Sequence, residues 1–121
     1  MKDLSLDQAR AQFAAILSGL EHPNLGMAAA LAEECGEVAK LLLDHHAYGK
    51  PLDSQKLGGE LIDVFICLCE VATRHGVDLD AALKDKMSDI ALRAPQWRAD
   101  LSEALRRARS VEEQMKSDSK P

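Results

Sequence analysis

Apolar residues recur along the chain in five helical stretches separated by short polar breaks. Ser5 with Gln8 has the form of a capping box, and Ala9, Phe13, Ile16, Leu17 and Leu20 follow it at a period of about 3.6. Glu21-His22-Pro23-Asn24 ends that helix and places Asn24 to cap the next one, expected over residues 25–46. The stretch from Ala47 to Asp53 reads as a turn. Asp53 is the expected N-cap of a third helix from Ser54 to His75, closed by Gly76. A fourth helix starts at Asp78 or Asp80 and stops before Pro95. A fifth carries Trp97, Leu101, Leu105, Ala108 and Val111 on one side, with Trp97 as its packing anchor. The segment from Lys116 is polar and expected to fray.

This pattern predicts an all-α, antiparallel helical bundle forming a single domain over residues 1–121. Its core spans about 5–95, the C-terminal helix about 96–116, and a frayed tail runs to 121. Composition agrees. Leu and Ala number 36 against 10 for Val, Ile and Thr together, which opposes a sandwich or barrel. Aromatic residues are only 3% and the net charge is −5. The chain therefore lacks both the stacking rings and the positive footprint of a nucleic-acid binder. No apolar run approaches the ~20 residues that span a bilayer, and no signal-peptide pattern opens the chain, so a cytoplasmic protein is expected. Cys35, Cys67 and Cys69 stand in apolar helical context and read as reduced core residues.

The second and third helices are apolar nearly all round, which marks them as buried elements. Their few charges then interrupt a core surface: Glu33, Glu34, Glu37 and Lys40 between Leu25 and Leu43, and Glu60, Asp63 and Glu70 between Leu57 and Ala72. Glu34/Glu37 and Glu60/Asp63 are i, i+3 pairs. Spacing alone proves little, since 20 acids in 121 residues give roughly three such pairs by chance, and the chain has three. The third, Asp100/Glu103, lies among arginines on a polar face. The first two differ because a short turn makes their helices antiparallel neighbours. Four carboxylates facing one another across such a pair repel and are costly to desolvate. A divalent cation relieves both costs, and hard oxygen ligands without Cys or His suit Mg²⁺ or Mn²⁺. Without a ligand, the same acids line a solvent-facing groove. Neither acidic pair has the Glu-x-x-His form of a di-iron bundle. Gly58 and Gly59, just before Glu60, suggest a close backbone approach by a neighbouring helix.

The segments Ala-Leu-Ala-Glu-Glu-Cys-Gly-Glu-Val-Ala and Gly-Glu-Leu-Ile-Asp-Val resemble the ExxE…ExxD signature of the all-α, MazG-like nucleoside triphosphate pyrophosphohydrolases. That superfamily includes dimeric dUTPases, dCTP pyrophosphatases and phosphoribosyl-ATP pyrophosphohydrolases, and the resemblance spans roughly His22 to Pro95. It implies a four-helix MazG-like core plus an extra C-terminal helix. It also implies Mg²⁺-dependent hydrolysis of an NTP or dNTP to the monophosphate and pyrophosphate, a nucleotide-pool housecleaning activity. Glu34, Glu37, Glu60 and Asp63 would be metal ligands, with Glu33 and Glu37 acting on the attacking water. Lys86 and Arg93 match the family's Lys-x-x-x-Asn-x-x-Arg element and would meet phosphates, although Ile90 stands where Asn is expected. His22 lies where some relatives contact the base. The family implies a homodimer or dimer of dimers, and the apolar excess of the third helix independently predicts a homo-oligomer. The rival readings are a non-catalytic helical module that binds nucleotides or a protein, and phosphoribosyl-ATP pyrophosphohydrolase.

Overall fold

A computed structural model of the chain describes residues 3–118. All regular structure among them is helical: α1 (Leu6–Ile16), α2 (Asn24–His46), α3 (Ser54–His75) and α4 (Leu79–Asp118). These residues fall into two compact units, one through Ala82 and the other from Leu83 onward. No described helix is long and apolar enough to cross a membrane.

Local sequence accounts for most helix ends. Ser5 accepts the Gln8 N–H while the Gln8 side chain accepts the Ser5 N–H, which completes the expected capping box. Asp53 accepts the N–H groups of Gln55 and Lys56 at the start of α3. Gly76 closes α3 with φ +65°, a left-handed conformation that costs glycine no Cβ clash. Asp78 accepts from the N–H groups of Asp80 and Ala81 as α4 begins.

In the first unit α3 packs against both α1 and α2. Both neighbours run antiparallel to it, since Arg74 near its end meets Asn24 at the start of α2, while Thr73 and Phe65 meet Arg10 and Phe13 in turn. The two phenylalanine rings meet edge to face at 6.4 Å. Asp7 pairs with Arg10 and accepts the Leu79 N–H, which ties α1 to the start of α4. Among the described residues the buried apolar ones are Met27, Cys67, Cys69 and Ala72, and Cys69 is only 1% exposed.

Several expectations need correction. α1 ends at Ile16, and Leu17 to Gly19 turn away, with Gly19 at φ +87°. Asn24 does not cap α2: Pro23 holds that position, and the Asn24 amide oxygen accepts from Arg74 instead. Cys35 is exposed, unlike the other two cysteines. The fourth and fifth helices are one, and Pro95 lies inside it. No Gly, Asn or Asp adjoins Pro95 to form a turn, and the flanking Leu92, Arg93, Ala94 and Gln96 are good helix formers, so the helix loses one backbone bond without stopping. Trp97 on that helix is 37% exposed and anchors no buried core. The expected frayed segment is helical as far as Asp118, and residues 119–121 lie outside the described residues. α2 and α3 are not buried all round either, since Met27 is the only buried residue on α2.

Gly58 and Gly59 correct a further expectation. A Cβ built at either meets nothing within 4 Å, so no described helix presses against them. Gly58→Ala and Gly59→Ala should then each stabilise the protein, by about 1 kcal/mol at most, by relieving the helix-interior glycine cost. Urea unfolding monitored by circular dichroism measures this. Destabilisation by either variant would place another chain against that surface.

Candidate functional site

On α3 the residues Glu60, Asp63, Cys67, Glu70 and Arg74 are spaced three or four apart, so they share one face over almost four turns. The N-terminal half of this stripe meets α2 at Glu34. Carboxylate oxygens of Glu34, Glu60 and Asp63 all lie within 4.8 Å of one another, with Glu34 and Glu60 half-buried and Asp63 exposed. Three of the four acids expected to converge therefore do so. Glu37 is exposed on α2 and stands outside this group, as does Glu33. Among the described residues none of these five carboxylates forms a hydrogen bond or an ion pair, although Lys40 is on the same helix.

Glu34 registers the resulting repulsion. Partial burial pushes its carboxyl above the ordinary value of 4.5, and the charges of Asp63, Glu33, Glu60 and Glu37 push it further the same way. Glu33 and Glu37 thus act on the cluster electrostatically from outside it. The donor set consists of hard carboxylate oxygens and contains no nitrogen or sulfur. It fits Mg²⁺ or Mn²⁺, which take oxygen ligands and retain waters in their remaining positions.

The C-terminal half of the stripe meets the turn after α1. Glu70 accepts the His22 N–H at 2.9 Å through one oxygen and stands 3.0 Å from His22 Nδ1 through the other. Arg74 donates to the His22 carbonyl and to Asn24 Oδ1. His22 and Glu70 border a cavity of about 180 Å³ whose walls include Phe13, Leu17 and Ile66. Cys67 lines the same cavity. Its thiol is pushed up by burial first, and then by the charges of Glu34, Glu70 and Asp63, so it stands between cavity and acidic cluster. Sequence reasoning missed the Glu70–His22 pair and the cavity. The available signal was Glu70 itself, seven residues after Asp63 on an otherwise apolar helix.

Lys86 and Arg93 belong to the second unit, on α4. Lys86 is exposed and makes no hydrogen bond or ion pair among the described residues. Arg93 pairs with Asp89 at 3.4 Å, and its guanidinium stands 4.9 Å from the centre of the Trp97 ring. His45, in the last turn of α2, has Nδ1 2.7 Å from the Lys50 carbonyl oxygen. No protein-family model, curated protein sequence or solved structure matches the chain significantly.

A carboxyl held above its ordinary value binds more protons in the folded chain than in the unfolded one. Glu34 therefore contributes stability that is complete below about pH 4.5 and is lost as pH rises through its raised folded value. In the presence of a chelator, the urea midpoint of the wild type relative to Glu34→Gln should fall across that window. Saturating Mg²⁺ should recover the loss at neutral pH by binding the folded form. A wild-type midpoint that rises relative to Glu34→Gln over the same window would mean that the Glu34 anion has a cationic partner.

Proposed function

We propose that the chain is a divalent-metal-dependent nucleoside triphosphate pyrophosphohydrolase of the MazG-like kind, hydrolysing an NTP or dNTP to the monophosphate and pyrophosphate. The observation that carries this reading is the convergence of Glu34, Glu60 and Asp63, without counter-charge, on the two helices that hold the resembling signature. Nucleotide-pool housecleaning in the cytoplasm is the corresponding role.

In this reading Glu34, Glu60 and Asp63 hold the metal, and the exposed Glu37 completes the set from the next turn of α2. A bound divalent ion supplies neutralisation of triphosphate charge and Lewis-acid polarisation of phosphoryl oxygens. The protein's own residues position the reactants and move a proton. Water oxygen bonds to the α-phosphorus, the bond from that phosphorus to the bridging oxygen breaks, and pyrophosphate departs with the electron pair. The carboxylate of Glu37, with Glu33 beside it, accepts the proton from the attacking water. Lys86 and Arg93 balance the remaining phosphate charge, and His22, held in place by Glu70, lines the side toward the base. The surface also supports the proposed homodimer or dimer of dimers. Leu61, Ile62 and Leu68 of α3 and Leu42 and Leu43 of α2 are large apolar residues left exposed by the single chain.

A second reading, a non-catalytic nucleotide-binding module, draws on Glu37 lying outside the cluster and on Ile90 in the phosphate element. One assay separates the two. With Mg²⁺, at least one of the eight common NTPs and dNTPs should release pyrophosphate and monophosphate, not phosphate and diphosphate. Glu37→Gln should lower that rate about 10²-fold or more while leaving metal-free stability unchanged or higher. Lys86→Ala and Arg93→Ala should weaken substrate use without unfolding the protein. Nucleotide binding without pyrophosphate release would establish the module, and neither binding nor release would dismiss both readings.

A further inference from the structure

From Leu83 onward α4 contains no buried residue, yet it carries an unbroken apolar line. In its first half the line is Leu83, Met87, Ile90, Ala94 and Trp97, and in its second half Leu101, Ala104, Ala108, Val111 and Met115. The steps between successive members alternate strictly between four and three over the whole length. That is a 3.5-residue repeat. A straight helix drifts about 20° per heptad away from it, so the line remains on one side only if the helix supercoils around a partner. Among the other apolar residues of α4, Leu105 flanks the line one position past Ala104, whereas Leu92, 83% exposed, points off it, and Pro95 falls one position past Ala94 on the outer side.

We propose that this face of α4 pairs with the same face of a second copy of the chain as an antiparallel two-helix coiled coil. Side-chain size sets the direction. The bulky residues of the line lie mostly in its first half, and the small ones in its second. Antiparallel pairing in the register that joins Leu83 to Met115 sets Met87 against Val111, Ile90 against Ala108, Ala94 against Ala104 and Trp97 against Leu101. That register offsets Ala108 with Ile90 and sets Trp97 against Leu101, so the thin layers are the two, one on each side of the two-fold, in which Ala94 meets Ala104. A parallel pair would instead stack Trp97 on its own copy and leave three thin layers, in which Ala94, Ala104 and Ala108 meet their own copies. The antiparallel register also brings Lys84 beside Glu112 at each end of the pair. Arg93 and Arg107, which meet in it, each have a carboxylate on their own helix, Asp89 and Glu103, the second shared with Arg106. Two strips about 48 Å long and 10 Å wide amount to about 1,000 Å², the size at which specific interfaces begin.

The experiment uses the full chain and does not depend on its having any enzymatic activity. Light scattering should give Leu101→Asp and Ala104→Glu half the wild-type mass, while Leu92→Asp keeps it. In a Cys35→Ser background, mild oxidation should join Ala94→Cys/Ala104→Cys chains into a covalent dimer, whereas Ala94→Cys alone stays monomeric on a non-reducing gel. Efficient joining by Ala94→Cys alone would overturn the antiparallel arrangement. Wild-type mass in both seam variants, with no joining of the double variant, would overturn the pairing itself and leave any oligomer formed through α2 and α3 standing. Loss of mass in Leu92→Asp equal to that in Leu101→Asp would also overturn it, because the association would then follow general hydrophobicity and not the seam.

Discussion

Because α3 packs against two neighbours at once, a single register of that helix has to satisfy several unrelated demands. Glu60 and Asp63 approach Glu34, Glu70 holds His22, Thr73 receives Arg10, and Arg74 holds Asn24 and the His22 carbonyl. Successive residues on a helix are about 100° apart. Sliding α3 by one residue would therefore turn all of these groups away together. The acidic cluster and the tethers of the turn before α2 are thus placed by one register, and a change that loosens α3 acts on both.

That register was legible in the sequence because both ends of α3 are marked by residues with few alternatives. Asp53 is an N-cap that finds two backbone donors, and Gly76 takes a left-handed conformation that other residues rarely adopt. The i, i+3 acids on two helices joined by a short turn then lead to Glu34, Glu60 and Asp63. Other features depended on contacts that spacing does not encode. Asn24 has the right chemistry for a cap, but the Arg74 guanidinium takes its oxygen, and only the antiparallel packing of α2 and α3 brings the two together. Glu37 has the same spacing from Glu34 as Asp63 has from Glu60, yet only the second pair joins the cluster, so the spacing does not by itself place a carboxylate.

Pro95 shows local and extended signals in conflict. A proline in the helix interior costs about 3 kcal/mol and normally ends the helix. Here residues on both sides are strong helix formers, no turn residue offers another path, and the ring falls on the side of α4 opposite the apolar seam. The reading that broke the chain at Pro95 also split that seam into two short segments. Four positions before the break and six after it, taken separately, suggest an ordinary amphipathic stripe. The alternation of four and three becomes diagnostic only when it is followed across the proline, where a 3.6-residue stripe would already have drifted from the line.

The chain leaves two kinds of surface unsatisfied, and they call for different remedies. Like-charge repulsion among Glu34, Glu60 and Asp63 is relieved by a cation or by protonation, and partial burial first, then the neighbouring charges, raise the Glu34 carboxyl in the direction of the second route. Exposed apolar surface is relieved by neither, because protons and metal ions do not remove methylene groups from water. With only Met27, Cys67, Cys69 and Ala72 buried among the described apolar residues, a single chain has little hydrophobic burial with which to offset the unneutralised carboxylates. Cation binding and self-association therefore add stability through independent terms. Each depends on the concentration of its own partner, so neither is expected to substitute for the other.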